Sequence, residues 1–142
     1  MATYLLKTEP DCYSYSDLMR DKRTHWNGVT NAAAQKHMRS IKKGDEVFIY
    51  HTADEKRIVG LAKVVRGAYQ DPENTALTAA GEPRSVLIDI TPARAATRDG
   101  ATLTAIKADA RFENFDLVRQ SRLGVMPVEP RLDKILRTMA GL

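Results

Sequence analysis

The residues best suited to hold a ligand lie together in one short segment, Trp26-Asn27-Gly28-Val29-Thr30-Asn31. Trp26, the only Trp of the chain, offers a large aromatic face for stacking. Gly28 allows backbone to approach a bound group closely, and the amides of Asn27 and Asn31 donate and accept hydrogen bonds. The segment contains no nucleophile, so its chemistry predicts recognition. A structural role is also open, in which Trp26 packs in the core and Gly28 makes a turn.

Motifs with a strong catalytic or cofactor meaning are missing from the sequence. Cys12 is the only cysteine, so neither an intrachain disulfide nor a Cys-rich zinc site is available. The chain has no glycine-rich nucleotide-binding motif and no H-E-x-x-H metal motif. We therefore expect no cofactor and no metal. An enzyme that uses Glu9 or His51 as acid or base on a nucleotide-like ligand is the less favoured alternative, because no second titratable group stands at diagnostic spacing.

Length and charge limit the class of protein. The 142 residues correspond to one ordinary domain, residues 1–142, and 43% hydrophobic residues suffice for a core. A net charge of +4 permits a polyanionic partner without requiring one. No charged leader and no long apolar run are present, so neither secretion nor a membrane partner is expected. The sequence favours the cytoplasm, or the nucleus in a eukaryote, and leaves open the oligomeric state and any associated nuclease or other effector.

Local patterns predict about five strands. Pro10 ends the first strand, because the residue before a proline is pushed out of the helical region, and Pro92 is predicted to end another. Gly60 and Gly67 lie inside the longest strand and predict bulges that help to curl a sheet into a barrel. The predicted strands are Tyr4–Lys7, Glu46–Tyr50, Arg57–Tyr69, Val86–Ile90 and Leu123–Val128.

Helices are predicted between these strands from caps and apolar spacing. Ser14 or Ser16 caps a brief helix, and Thr30 or Asn31 caps a second helix over 32–41. A short helix over Thr102–Ala108 and a terminal helix that begins at Pro130 complete the set. Because helices interrupt the strands irregularly, the pattern predicts an α+β domain, not a doubly wound nucleotide fold.

Several ordered motifs resemble one known family over nearly the whole chain. They are Tyr4 to Pro10 (YLLKTEP), Trp26 to Asn31 (WNGVTN), Met38 through Gly44-Asp45, Tyr50-His51-Thr52 and Ser121-Arg122-Leu123. Together they resemble the EVE domain family of the PUA-like superfamily. The resemblance implies a curved β-barrel with short helices packed around it. It also implies a non-enzymatic pocket for a modified base, typically a modified cytosine such as 5-methylcytosine in DNA, although related PUA-like modules read RNA.

The resemblance also implies which residues form the pocket. Its centre would be Trp26, Asn27, Gly28, Val29 and Asn31. One wall would be Lys7, Thr8, Glu9 and Pro10, the other wall Tyr50, His51 and Thr52, and the closing residues Arg122 and Leu123. Two structural alternatives stay open, because Arg122 is equally suited to pair with Glu9 and a lone His among apolar strand residues is more often structural than catalytic.

The sequence departs from the family pattern at three positions. Thr30 stands where an Arg is common, and Thr8 and Thr52 stand where Ser is common. The two Ser to Thr changes keep the hydroxyl, whereas the Thr30 change removes a fixed positive charge. If that Arg contacts phosphate in relatives, Lys36 and Arg39 are the candidates to replace it here. A solvated helix face is the simpler explanation of these two residues.

Overall fold

The protein is built around one mixed sheet of six strands in a computed structural model that describes residues 1–142. The strands are β1 (Thr3–Thr8), β2 (Thr24–Trp26), β3 (Glu46–His51), β4 (Arg57–Gln70), β5 (Val86–Ala95) and β6 (Val125–Val128). The helices are α1 (Tyr15–Asp21), α2 (Ala32–Met38), α3 (Leu103–Ala108), α4 (Asp116–Arg119) and α5 (Pro130–Ala140), with a 3-10 turn at Ala110–Phe112. No helix is both long and apolar enough to cross a membrane.

The strand order is β2-β5-β4-β3-β1-β6, and β1 and β3 form the only parallel pair. Helix α2 packs against both β5 and β6, which lie near opposite ends of that order. One short helix reaches both strands because the sheet is strongly curved. The predicted α+β class is thus confirmed, but the barrel is not closed and has six strands where about five were expected.

Strand β2 is the unexpected strand, and it changes the setting of the Trp26 segment. The sequence predicts a loop here, yet Thr24–Trp26 pairs with β5. Three residues are too few to show a hydrophobic alternation, so only the partner strand defines this element.

Two other boundaries differ from the prediction for tertiary reasons. Strand β5 continues past Pro92 to Ala95, because Pro92 pairs with Ala62 beside a register irregularity, where a missing N–H is tolerated. Helix α2 ends at Met38, and the next residues bond to β4 through the Ala68 amide, which donates to the Ile41 carbonyl (3.0 Å). The last strand begins at Val125 instead of Leu123.

Most predicted caps and bulges are present. Ser14 caps α1 in a capping box, Asn31 caps α2 and Thr102 caps α3. Pro130 begins α5, as predicted. Register irregularities occur next to Gly60 and around Gly67 in β4, so the two glycines mark bulges as the sequence indicates.

Gly60 is required where β4 passes the ring of Tyr15. A Cβ atom at Gly60 would overlap that ring, 2.8 Å from its Cδ1 atom. The ring cannot move aside freely, because its hydroxyl donates to the Leu61 carbonyl at 2.8 Å. We expect Gly60→Ala to lower the free energy of unfolding by about 1–3 kcal/mol, measured by urea denaturation. Gly124→Ala is the matched control, because its Cβ would meet open space. Equal stability of the two variants would contradict this packing argument.

Candidate functional site

Three of the predicted site segments meet where β1 and β3 end side by side. The parallel register places Lys7 beside Tyr50 and Thr8 beside His51. The Thr52 amide continues this pairing and donates to the Thr8 carbonyl at 3.0 Å. On the other side of β1, the Lys7 amide donates to the Gly124 carbonyl at 2.9 Å, just after the Ser121-Arg122-Leu123 motif. Residues from the start, middle and end of the chain thus form one corner of the sheet.

Lys7 and Tyr50 supply the hydrogen-bond donors of this corner. The Lys7 ammonium donates to the Ser121 carbonyl (3.0 Å) and lies 6.0 Å from the centroid of the Tyr50 ring. Burial lowers the pKa of Lys7 and raises the pKa of Tyr50 to about 12. The Tyr50 phenol therefore stays protonated at neutral pH.

The Tyr50 hydroxyl is free to bind a ligand. It has no hydrogen-bond partner in the protein, and no fully buried side-chain polar atom lacks a partner. The hydroxyl therefore reaches solvent although the Tyr50 ring is buried. The Lys7 ammonium also keeps donors to spare, since it has three and bonds only Ser121. The Tyr50 hydroxyl and the Lys7 ammonium can therefore both donate a hydrogen bond to a ligand.

Trp26 belongs to the hydrophobic core and also joins this corner indirectly. Only 7% of its surface is exposed, which shows the packing role that the sequence left open. Its ring meets the Tyr13 ring edge-on, with centroids 6.2 Å apart and planes at 84°. The Tyr13 carbonyl in turn accepts a 2.6 Å hydrogen bond from the Thr8 hydroxyl. Tyr13 therefore links Trp26 to the end of β1.

The rest of the Trp26 segment is held against helix α2. The Asn31 side chain accepts from the Ala34 amide at 3.0 Å, so its carbonyl oxygen caps the helix while its NH₂ group has no partner. The buried Gln35 donates to the Val29 carbonyl (2.8 Å) and accepts from the Val86 amide (2.9 Å). One amide thereby fixes the segment to the start of β5.

Asn27 and Gly28 are exposed, and neither side-chain hydrogen bonds nor ion pairs tie Asn27 to the protein. Gly28 has a φ of +76°, a conformation that favours glycine, and open space lies where its Cβ would be. Both the turn and the close backbone approach that the sequence suggested are compatible with this geometry. These two residues leave the segment open to solvent beside the buried Trp26.

Both ring nitrogens of His51 are occupied within the protein. Nε2 accepts from the backbone amide of Tyr15 at 3.0 Å, and Nδ1 lies 3.1 Å from the Glu55 carboxylate. Because an amide N–H can only donate, Nε2 must carry the lone pair and Nδ1 the proton. The side chain is buried, and Glu55 is itself paired with Arg57. His51 thus has no free nitrogen for acid-base chemistry in this structure.

The remaining predicted residues differ in exposure. Glu9 is exposed, and its side chain contacts only the Cys12 sulfur at 3.8 Å, while its carbonyl accepts from the amides of Cys12 and Tyr13. Arg122 is exposed and forms no ion pair with Glu9, which removes the structural alternative for that pair. Leu123 is buried in the core, and Pro10 is half-buried in the turn after β1. Arg122 is therefore free to reach a ligand.

The two phosphate-contact candidates, Lys36 on α2 and Arg39 just after it, differ in what they contact. Lys36 is exposed and unpaired. Arg39 is half-buried, donates to the Pro83 carbonyl (3.1 Å) and lies 3.8 Å from the Glu82 carboxylate. Its guanidinium holds the long loop before β5 against α2, so it is less available to phosphate than the sequence suggests.

A large groove lies elsewhere in the molecule. It has a volume of about 1150 Å³ and opens at the amino-terminal end of β1, between Thr3, Asp45, Phe115 and the start of α5. None of the predicted site residues lines it. No group of three or more His, Cys, Asp or Glu side chains is close enough to hold a metal ion.

Sequence reasoning missed the residues that position the site. They are Tyr13, Tyr15, Gln35 and Glu55; Ser121 was named within a motif, but its carbonyl was not predicted to bond Lys7. Tyr13, Tyr15 and Gln35 act through residues distant in sequence, whereas Glu55 contacts His51 only four residues away. Tyr13 alone left a signal, as an aromatic residue in a polar segment, but no pattern indicates that it packs against Trp26.

The protein has a strongly curved mixed sheet with short helices, and an aromatic and amide-rich segment lies near the ends of its parallel strands. These features define a PUA-like α+β domain. The chain belongs to the EVE domain family, whose model matches residues 2–139. The resemblance drawn from the sequence motifs is therefore confirmed.

Relatives from bacteria and vertebrates share this fold. An NMR structure of a Rhodopseudomonas palustris protein is 34% identical, covers 99% of this chain and 94% of its own, and superposes with a TM-score of 0.86. The crystal structure of the human THYN1 protein in complex with DNA containing 5-methylcytosine is 24% identical, covers 98% of both chains and has a TM-score of 0.84. Thymocyte nuclear protein 1 of Gallus gallus is 29% identical over 88% of this chain. The chain spans 63% of the length of that chicken protein.

Proposed function

We propose that this protein is a non-enzymatic reader that binds DNA and holds one modified base, a modified cytosine, at the corner formed by β1, β3 and the Trp26 segment. Membership of the EVE domain family supports the proposal. The DNA complex of the human relative supports the choice of DNA and of 5-methylcytosine. The observation that carries it is the meeting of Lys7, Tyr50 and the Ser121 motif in one corner.

The chemistry of the corner suits the edge of a cytosine. A base held outside its stack must recover a few kcal/mol through stacking and hydrogen bonds. Cytosine presents acceptors at O2 and N3, which match the donors of Lys7 and Tyr50. The exposed amide of Asn27 offers a carbonyl oxygen that can accept a hydrogen bond from the exocyclic amine. The Thr52 and Arg122 side chains complete the polar groups near this corner.

The enzyme alternative has less support in the geometry. The two titratable groups that an enzyme would use are His51, whose nitrogens are both bonded, and Glu9, which is exposed and has no basic partner. General acid-base catalysis needs two groups aimed at one reacting atom. A binding function requires neither of them to gain or lose a proton.

A single-atom substitution tests the proposed pocket. Tyr50→Phe removes only the free hydroxyl, and we expect it to weaken binding of a 5-methylcytosine oligonucleotide by roughly 2- to 10-fold, the cost of one hydrogen bond. Fluorescence anisotropy at fixed salt measures the affinity, with matched unmodified DNA and RNA strands in parallel.

Tyr4→Phe is the matched control, because Tyr4 is also buried but lies at the opposite end of β1, in the large groove. We expect this variant to bind as the wild type does. A wild-type protein that bound all strands equally would overturn the modified-base proposal, and tighter binding to a modified RNA would move the function to RNA. Loss of binding in the Tyr4 variant alone would place the site in the groove.

A further inference from the structure

Three neighbouring strands of the sheet carry more basic than acidic residues. Strands β2, β4 and β5 together contain a single carboxylate, Asp89, against the four Lys and Arg residues Arg57, Lys63, Arg66 and Arg94. The whole chain, by contrast, has 22 basic and 18 acidic residues. Arg57 is paired with Glu55 and Asp99, which leaves Lys63, Arg66 and Arg94 without an ion pair.

Strand register places two of these charges, Lys63 and Arg66, in rows on the outer side of the sheet. His25 pairs with Asp89 across β2 and β5, and Asp89 pairs with Arg66 across β5 and β4. Directly paired residues point to the same face of a sheet. The neighbours Ile88 and Ile90 are fully buried, so the row of Asp89 points outward.

A second row lies next to the first. Thr91 follows Asp89 by two residues and pairs with Lys63, which is exposed. Arg23 lies immediately before β2, and its guanidinium donates to Asp89 of the first row. We call the surface made by Arg23, His25, Lys63 and Arg66 the basic sheet face.

The only carboxylate of these strands is already bonded. The Tyr69 hydroxyl donates to one oxygen of Asp89, and Arg23 donates to the other at 2.9 Å. Burial alone would raise the pKa of Asp89, but the Tyr69 hydroxyl and Arg23 together hold it below its ordinary value. Asp89 therefore stays ionised and fixes the two side chains that bond it.

Lys63 and Arg66, the two residues of the face that lie on β4, form no ion pair. No carboxylate lies within ion-pair distance of Lys63 or Arg66. Glu46, which pairs with Lys63 in register, bonds Arg137 instead at 2.9 Å. The Arg66 guanidinium stacks on the Tyr69 ring, 3.6 Å from its centroid. Arg66 is thus preorganised, and the carboxylate beside it, Asp89, is already bonded by Tyr69 and Arg23.

We propose that the basic sheet face binds the sugar-phosphate backbone of the nucleic acid whose modified base is held at the β1–β3 corner. The inference rests on the proposed function and adds the surface that carries the polymer. Strand β2 connects the two sites, because it leads from Arg23 and His25 directly into Trp26 and the open Asn27-Gly28 segment. The face takes over the role that the sequence assigned to Lys36 and Arg39.

A charge-reversal pair tests the face. We expect Lys63→Glu combined with Arg66→Glu to weaken binding of methylated and unmethylated DNA alike, by roughly ten-fold or more, because phosphate contacts carry no base information. The slope of log affinity against log salt concentration should fall by about 2, near one for each lost phosphate contact. The ratio of methylated to unmethylated affinity should be unchanged.

The matched control is Lys107→Glu combined with Lys134→Glu, the same change of charge on the exposed surfaces of α3 and α5. It should keep most of the affinity and nearly all of the salt slope. Lys63→Gln with Arg66→Gln, checked for folding by circular dichroism, should give a smaller loss of the same kind.

The outcomes separate the two proposals. Base preference in the wild type with normal binding by the charge-reversed variant overturns the basic sheet face and keeps the reader. Loss of binding without any base preference in the wild type supports the face and overturns the reader. Equal losses in the face and control variants show a general charge effect and overturn the face.

Discussion

Replacing Trp26 with Ala is expected to lower the free energy of unfolding by about 3–5 kcal/mol, because a large buried side chain leaves a cavity that its neighbours fill only in part. The ring is 7% exposed and packs edge-on against Tyr13. A domain of this size has about 5–15 kcal/mol of stability in all. Chemical denaturation, followed by far-ultraviolet circular dichroism, measures the loss.

The consequence for function is that loss of DNA binding in Trp26→Ala cannot by itself assign Trp26 to the ligand. Trp26→Phe is the informative partner, because it keeps an aromatic ring against Tyr13 and should lose less stability. If Trp26→Ala kept wild-type stability, the core position of the ring would be wrong. If Trp26→Phe folds normally but binds modified DNA more weakly, the Trp26 edge also contacts the base.

Replacing His51 with Ala is expected to cost about 1–3 kcal/mol of stability, the penalty of leaving the buried Tyr15 amide without an acceptor. The imidazole joins α1 to β3 through that amide and joins β3 to Glu55. Urea denaturation measures the effect. When the wild type and the variant are assayed with nucleosides and nucleotides, neither should show turnover.

Glu55→Gln is the control for this prediction. Gln keeps a carbonyl oxygen that can accept from Nδ1, so most of the stability should remain, while the charge beside the ring is removed. Nucleoside turnover that disappeared in a folded His51→Ala protein would falsify the structural role of His51 and restore the enzyme alternative.

Local chemistry accounts for the elements that the sequence predicted well. The terminal helix has Pro130 at its start, Gly141 at its end and an apolar face toward the core, all within a dozen residues. Asn31 caps α2 through an amide only three residues away. Gly60 and Gly67 marked bulges because a residue without a side chain tolerates the backbone conformation of a β-bulge.

The contacts within the candidate site could not be predicted from local sequence patterns. The motifs named most of its residues, yet Lys7 bonds the Ser121 carbonyl across 114 positions and His51 bonds the Tyr15 amide across 36. The sequence left Trp26 open between packing and binding, and only its contact with Tyr13 and its burial showed the core position.

By itself, then, the sequence determined the family, the α+β class, the helix caps and the set of polar and aromatic residues from which a base pocket could be made. Only the tertiary structure decided that the sheet has six strands and stays open, that both nitrogens of His51 are bonded, and that a basic face lies on β2, β4 and β5. The physical reason is the sequence distance between the residues that contact each other. Caps and bulges depend on neighbours within one turn or one bend of the chain, whereas the partner of a strand residue depends on register between distant segments, which no local pattern encodes.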